Sequence, residues 1–203
     1  MRYILFFASI CLAANCGNGL EMVSKETEAG TIKEQYTINS KTQEKEGLYK
    51  SFDREGAIIE EATYKADQLH GERRVYYENG AVQSIETFVE GEHQGRYLSF
   101  YENGKIELQG DYVEGEMEGQ WTAYYTNGQI KEKVQFRGNN ENGPFIEYHE
   151  NGKLKAEGQY LEGDQEDGLL QLYDENGILE RKMECKKGIC KTVWQKETKA
   201  EKE

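Results

Sequence analysis

Proline is almost absent from this 203-residue chain, with one residue, and histidine is scarce, with three. Set against 22 glycines, a single proline excludes a collagen-like or proline-rich low-complexity chain and leaves glycine as the source of turns. Positive charge is also short: 25 Lys and Arg face 38 Asp and Glu, a net charge of −13. That balance argues against nucleic acid, whose phosphates are bound by clustered Lys and Arg, and it weakens attraction to anionic lipid. The acidity reads as solubilising charge on an elongated body with much exposed surface. Apolar material is thin as well, 36% hydrophobic against 31% charged. Much of it is aromatic, with 14 Tyr, 7 Phe and 2 Trp, which suits half-buried sheet surfaces better than a thick interior.

Motifs that carry chemistry are missing too. There is no glycine-rich phosphate loop ending in Lys-Ser or Lys-Thr, and no serine-centred nucleophile elbow. His70, His93 and His149 stand far apart, without metal-ligand spacing. The expectation is a protein that is not an enzyme and holds no cofactor and no metal.

Only one long apolar run occurs. After Met1-Arg2, Tyr3 to Ala14 (YILFFASICLAA) is uncharged, too short to span a bilayer but suited to the apolar region of a signal peptide. It ends at Ala13-Ala14-Asn15-Cys16, which resembles a bacterial lipobox with Cys16 as the lipid-modified residue. The match departs from the usual pattern, which has Leu three residues before the Cys and a residue smaller than Asn directly before it. Residues 1–15 are therefore expected to be a removed signal peptide. Lipidation of Cys16 places the protein in the bacterial cell envelope, in the outer membrane or periplasm; ordinary cleavage nearby is the alternative and leaves a soluble secreted protein.

Of the other cysteines, Cys11 lies in the removable run, while Cys185 and Cys190 flank Lys186-Lys187-Gly188-Ile189. If that loop closes a hairpin, the two face each other at a separation a disulfide can bridge, and an oxidising compartment preserves it. A single Cys-x4-Cys pair is an incomplete zinc site.

The rest of the chain is a repeat. Opening glycines Gly47, Gly71, Gly95, Gly119, Gly143 and Gly168 are spaced 24, 24, 24, 24 and 25 residues apart. Nine residues after each stands a second glycine, Gly56, Gly80, Gly104, Gly128, Gly152 and Gly177, preceded by Asn in five of the six. Asn-Gly is a strong hairpin signal. Gly91, Gly115, Gly138, Gly163 and Gly188 mark return turns. Five residues after each opening glycine comes an aromatic (Phe52, Tyr76, Phe100, Tyr124, Tyr148, Tyr173), and two after each second glycine an aliphatic (Ile58, Val82, Ile106, Ile130, Leu154, Leu179). Six further on stand Tyr64, Phe88, Tyr112, Phe136, Tyr160 and then Cys185, an even spacing read as strand alternation on one face.

Turn length sets the register, because a slip of one residue flips every side chain. A two-residue Asn-Gly loop pairs the sixth residue after the opening glycine with the aliphatic column. A three-residue loop such as Glu78-Asn79-Gly80, with Gly as the bulge, pairs the fifth and sets Tyr124 across from Ile130. The unbroken aromatic column favours the three-residue loop. A second aromatic set, Tyr49, Tyr77, Tyr97, Tyr101, Trp121, Tyr125 and Phe145, then falls on the opposite face. It reads in two ways: a binding surface, for which Tyr77, Tyr97, Tyr101, Trp121, Tyr125 and Phe145 are the candidates, or cross-strand ladders that hold a single-layer sheet in shape.

The frame G-x(4)-[FY]-x(3)-G-x-[ILV]-x(5)-[FYC], as in GQWTAYYTNGQIKEKVQF (Gly119–Phe136), resembles the MORN-type repeat, closest to the bacterial variant of the YwqK-like antitoxin-component family. The resemblance runs from about Gly47 to Cys185. It implies an all-β fold, a single-layer twisted antiparallel meander of six to seven stacked hairpins, used for protein or lipid contacts, and it supplies no catalytic residues. An antitoxin role sits badly with Met1–Cys16, since a neutraliser of a cytoplasmic toxin needs no export signal.

The expected organisation is a signal peptide (1–15), a tether (16–45), the repeat domain (46–195) and a charged tail (196–203). Leu20–Lys45 reads as polar and irregular, with Gly30-Thr31-Ile32 compatible with the second half of a degenerate leading repeat. The function expected is a non-catalytic protein-binding or scaffolding module. Its partners are a protein of unknown identity, the membrane through the lipid on Cys16, and other copies through open sheet edges. The alternatives are a lipid-binding module, an antitoxin-like component, or an envelope hydrolase built on turn carboxylates such as Glu90-Gly91-Glu92 and Glu114-Gly115-Glu116, which lack the graded spacing of a calcium loop.

Overall fold

A computed structural model of the chain describes residues 19–28 and 30–197. The expected signal peptide, Cys16 and the end of the charged tail lie outside these residues. Sixteen strands carry the fold: β1 (Leu20–Glu26), β2 (Ile32–Asn39), β3 (Lys45–Phe52), β4 (Ile58–Lys65), β5 (Gln68–Tyr76), β6 (Val82–Val89), β7 (Glu92–His93), β8 (Gly95–Phe100), β9 (Ile106–Val113), β10 (Glu116–Tyr124), β11 (Ile130–Arg137), β12 (Asn140–Tyr148), β13 (Leu154–Tyr160), β14 (Gly168–Tyr173), β15 (Leu179–Lys186) and β16 (Ile189–Gln195). No helix occurs among the described residues. Strand order is chain order, with the two-residue β7 set beside β6. The fold is the all-β antiparallel meander of stacked hairpins that the repeat frame implies. It divides into two compact units, one built on β1–β7 and the other on β8–β16.

The hairpin tips follow the three-residue loop. Tyr125 N donates to Gln129 O and Gly128 N to Tyr125 O, both at 2.8 Å, and Tyr77, His149 and Asp174 close their loops in the same way. Tyr124 accordingly pairs with Ile130, Tyr76 with Val82 and Tyr148 with Leu154. The Asn before the glycine caps the loop rather than adopting positive φ: Asn127 Oδ1 accepts from Gln129 N and Asn151 Oδ1 from Lys153 N. Return turns are of the type in which both central residues take positive φ, as at Glu114 (52°) and Gly115 (79°).

Two irregularities recur along the sheet. The opening glycines Gly47, Gly71, Gly119 and Gly143 lie inside strands, where three residues oppose one. Across β11 and β12, Val134 pairs with Phe145 and Phe136 with Glu141, which leaves Gly143 at φ 124° in the bulge. A second bulge follows each tip, since Ala123 pairs with Glu132 while Tyr124 pairs with Ile130. This second bulge corrects the expectation that the aliphatic column and the aromatic column six residues on share a face. The extra residue reverses the alternation, and Tyr64, Tyr112, Phe136 and Tyr160 join the second aromatic set instead.

The polar stretch Leu20–Lys45 is not irregular: it folds into the hairpin β1–β2. Glu26 pairs with Ile32 as Phe52 pairs with Ile58, and Ile38, buried, fills the place that Tyr64 fills in the next repeat. β2 pairs with β3 and sets Tyr36 across from Tyr49. The single-residue interruption before Gly168 is absorbed in the turn from β13 to β14, where Leu161 N bonds Gln165 O and Asp167 N bonds Gln159 O around a wider loop.

Candidate functional site

Three of the sequence-predicted binding residues, Tyr97, Trp121 and Phe145, sit on one face, the ring face, and each unit carries its own ring cluster. In the second unit Trp121 packs between Tyr97 (centroids 5.6 Å), Tyr112 (5.1 Å, edge-on) and Phe136 (6.1 Å, edge-on), while Phe145 stacks on Tyr160 at 4.2 Å. Trp121 and Phe145 are each only 3% exposed. Burial that deep in a single layer needs a recess, and two glycines supply it. A Cβ on Gly110 would lie 2.1 Å from the Trp121 ring, and one on Gly158 would lie 2.9 Å from Phe145. Neither glycine has positive φ; each is needed for the close approach of a ring to the backbone. Val134, Phe145, Ala156, Leu170 and Cys185 continue the strip, one residue per strand from β11 to β15, and Cys185 bonds Cys190 across a Cα separation of 4.0 Å.

Carboxylates border these rings. Burial, then Glu147 and Glu141, raise Glu132 above the usual carboxylate range. Burial and the same acidic neighbourhood push the Tyr160 hydroxyl well upward. In the first unit the ring face carries Tyr36, Tyr49 and Tyr64, then an ion triad in which Arg73 reaches Glu60 at 2.6 Å and Glu86 at 3.2 Å, with Ser84 Oγ donating to Glu86. Phe88 lies against His93 at 4.2 Å.

Tyr101 and Tyr125, two further candidates, stand at hairpin tips and act as staples. Tyr101 Oη donates to Tyr124 O at 2.6 Å and Tyr125 Oη to Tyr148 O at 2.7 Å, each one repeat ahead. Asn127 Nδ2 to Glu150 O and Asn151 Nδ2 to Glu175 O extend the same ladder, and His149 Nε2 lies 3.1 Å from Tyr173 O. Tyr77 occupies the equivalent tip position, half-buried. The six candidates are thus not brought together as one exposed patch. Tyr97 and Tyr112 remain half-buried, while Trp121 and Phe145 are enclosed.

The opposite face is less densely packed. The fifth-position tyrosines lean back over the preceding strand: Tyr76 Oη donates to Glu61 and Tyr173 Oη to Glu157, both at 2.6 Å. Lys50 and Tyr76 hold the Glu61 carboxyl below its usual range, and burial with the Glu157 bond pushes Tyr173 up to about 12. Beyond these tyrosines each unit has an open hollow at the same frame positions. One, of about 310 Å³, is lined by Leu48, Lys50, Glu61, Thr63, Glu72 and Arg74. The other, of about 430 Å³, is lined by Pro144, Ile146, Glu157, Gln159, Leu169 and Gln171. Leu48 is 66% exposed and Leu169 50%. Sequence reasoning passed over both leucines. The available signal was their place directly after an opening glycine, where the other repeats carry Glu72, Arg96, Gln120 and Pro144.

Among the described residues no group of three or more His, Cys, Asp or Glu side chains is placed to hold a metal ion. The model of the family described as MORN repeat variant matches residues 45–66, 69–90, 94–114, 117–137, 141–162 and 166–186, more than half of the chain. No curated protein matches it.

Proposed function

The chain belongs to the MORN repeat variant family, and from that premise we propose that it is an exported, lipid-anchored cell-envelope protein whose array docks a protein partner without catalysis. The observation that carries the docking reading is the pair of open hollows at equivalent frame positions, each with a leucine exposed to solvent. Exposed apolar side chains rimmed by polar ones have the composition of a contact surface. The Lys50–Glu61 and Arg74–Glu72 pairs at the first hollow, both 2.6 Å, supply such a rim. Trp121 and Phe145 support the ladder role rather than the contact role, because a ring that is already enclosed has little area left to give a partner.

Export and anchoring rest on Met1–Cys16, and the antitoxin-component likeness adds nothing to the role for the reason of address. The test is substitution. Leu48→Asp and Leu169→Asp should leave thermal unfolding nearly unchanged while weakening capture of the partner by tenfold or more, roughly the loss expected when an anchor residue is removed. Trp121→Ser should instead unfold the second unit. Retention of full capture by the double leucine variant would remove the hollows from the interaction.

A further inference from the structure

The ring cluster of the first unit differs in kind from that of the second, because a lysine ammonium lies over its ring faces. Tyr36 on β2, Tyr49 on β3 and Tyr64 on β4 stand in a row across three strands, with centroid separations of 6.3 and 5.5 Å. The Nζ of Lys45 lies 5.3, 4.9 and 4.7 Å from the three ring centroids. Local structure puts it there. Gly47, at φ 94°, forms the bulge between the Ile38–Lys45 and Tyr36–Tyr49 pairs, so Lys45 is carried back over the ring row. Its backbone is tied at both groups, with Lys45 N donating to Asp67 Oδ1 at 2.8 Å and Asp67 N donating to Lys45 O at 3.1 Å.

Charges of both signs border the rings, and Lys25 Nζ also lies 5.3 Å from the Tyr36 centroid. Glu34 and Glu60 act on the rings without touching the ammonium: after burial, they are the groups that raise Tyr49, and Glu60 and Glu34 both raise Tyr64. Glu34 is engaged by Lys25 at 3.2 Å and Glu60 by Arg73 at 2.6 Å. Among the described residues, no carboxylate lies within ion-pair distance of Lys45 Nζ. The ammonium therefore lies over ring faces without a carboxylate of its own, the mode in which aromatic cages take weakly hydrated organic cations.

We propose that Tyr36, Tyr49 and Tyr64 form a binding site for a small quaternary ammonium group, and that Lys45 fills the site in the free protein. Lys45 reaches the cage on a flexible four-carbon stem, so it can leave without disturbing the backbone bonds to Asp67. Because the cage is occupied, an external ammonium binds more weakly than the rings alone allow, in proportion to the fraction of molecules in which Lys45 has swung out.

The probe is choline chloride, titrated into the full chain with sodium chloride at equal ionic strength as the reference, and read by the ring resonances of Tyr36, Tyr49 and Tyr64. In the Lys45→Ala variant those resonances should shift saturably with choline and not with sodium, and the midpoint should fall about tenfold below that of the unaltered protein. Adding Tyr49→Ala should abolish saturation. Lys45→Gln, which retains part of the stem, serves if the alanine variant loses the β3–β4 resonances. Absence of saturable shifts in a folded Lys45 variant, equal shifts with sodium, or shifts that survive Tyr49→Ala would each overturn the proposal.

Discussion

Gly110 and Gly158 are the positions where one methyl group matters most. A Cβ 2.1 Å from the Trp121 ring cannot be accommodated without moving a residue that is 97% enclosed by its neighbours, given its 3% exposure. Gly110→Ala is expected to cost on the order of 1–3 kcal/mol through overpacking and to shift Trp121 emission to the red. Gly104→Ala meets nothing within 4 Å and bears only the strain of its φ of 79°, roughly 1 kcal/mol. Urea unfolding of the two variants checks the order, and equal costs would mean that the recess under the ring is unimportant. Glu132 gives a pH test. Its folded pKa is raised, so its protonated form is favoured by folding; that contribution is present below the unfolded carboxylate pKa and is lost as pH rises through the folded one. Above that window the ionised group is destabilising, and Glu132→Gln should raise the melting temperature at neutral pH. The gain should vanish in acid. At this scale the sequence was only partly legible. Five of the 22 glycines fell outside the turn columns, and nothing in their spacing told that two of them make room for rings.

Between hairpins of the second unit, side chain to backbone bonds join successive tips from Tyr101 to Glu175. Tyr125→Phe removes the bond to Tyr148 O while keeping the ring. The expected cost is about 0.5–1.5 kcal/mol, with faster amide exchange confined to the tips near residues 126–129 and 150–153. Uniform acceleration across the second unit would contradict a local staple. Reducing Cys185–Cys190 should release β16 first, since that strand pairs on one side only and is exposed at all but Cys190. Protection in β10–β13 should persist, as nearest-neighbour stability predicts. Turn type, strand pairing and the disulfide were all open to sequence reasoning, because glycine spacing and a tip loop of three residues determine them. The bulge after each tip was not. It leaves no residue signature, and it alone decides that Tyr112 and Phe136 meet Trp121 rather than the aliphatic column. The leading hairpin was half legible, in Gly30-Thr31-Ile32, because Glu26 and Leu20–Glu21 replace the column residues and Gly30, Ile32 and Ile38 keep the frame.

At the scale of the whole molecule, repetition gives each unit the same frame positions, so a contact surface needs few distinctive residues. Under the docking proposal Leu48 and Leu169 are those residues, and their only sequence signal, a place directly after an opening glycine, is weaker than an aromatic column that looks like a binding face. If the proposed lipid on Cys16 is the anchor, Cys16→Ala should move the protein from the membrane to the soluble fraction without altering its melting temperature. The docking proposal is most directly tested by site-specific photocrosslinking in cells, with the probe placed in turn at Leu48, Leu169, Tyr97 and Tyr112. The account predicts that both leucine positions capture one and the same protein and that the two tyrosine positions do not. Capture of that protein from Tyr97 or Tyr112, with none from Leu48 or Leu169, would contradict it and return the binding role to the ring face.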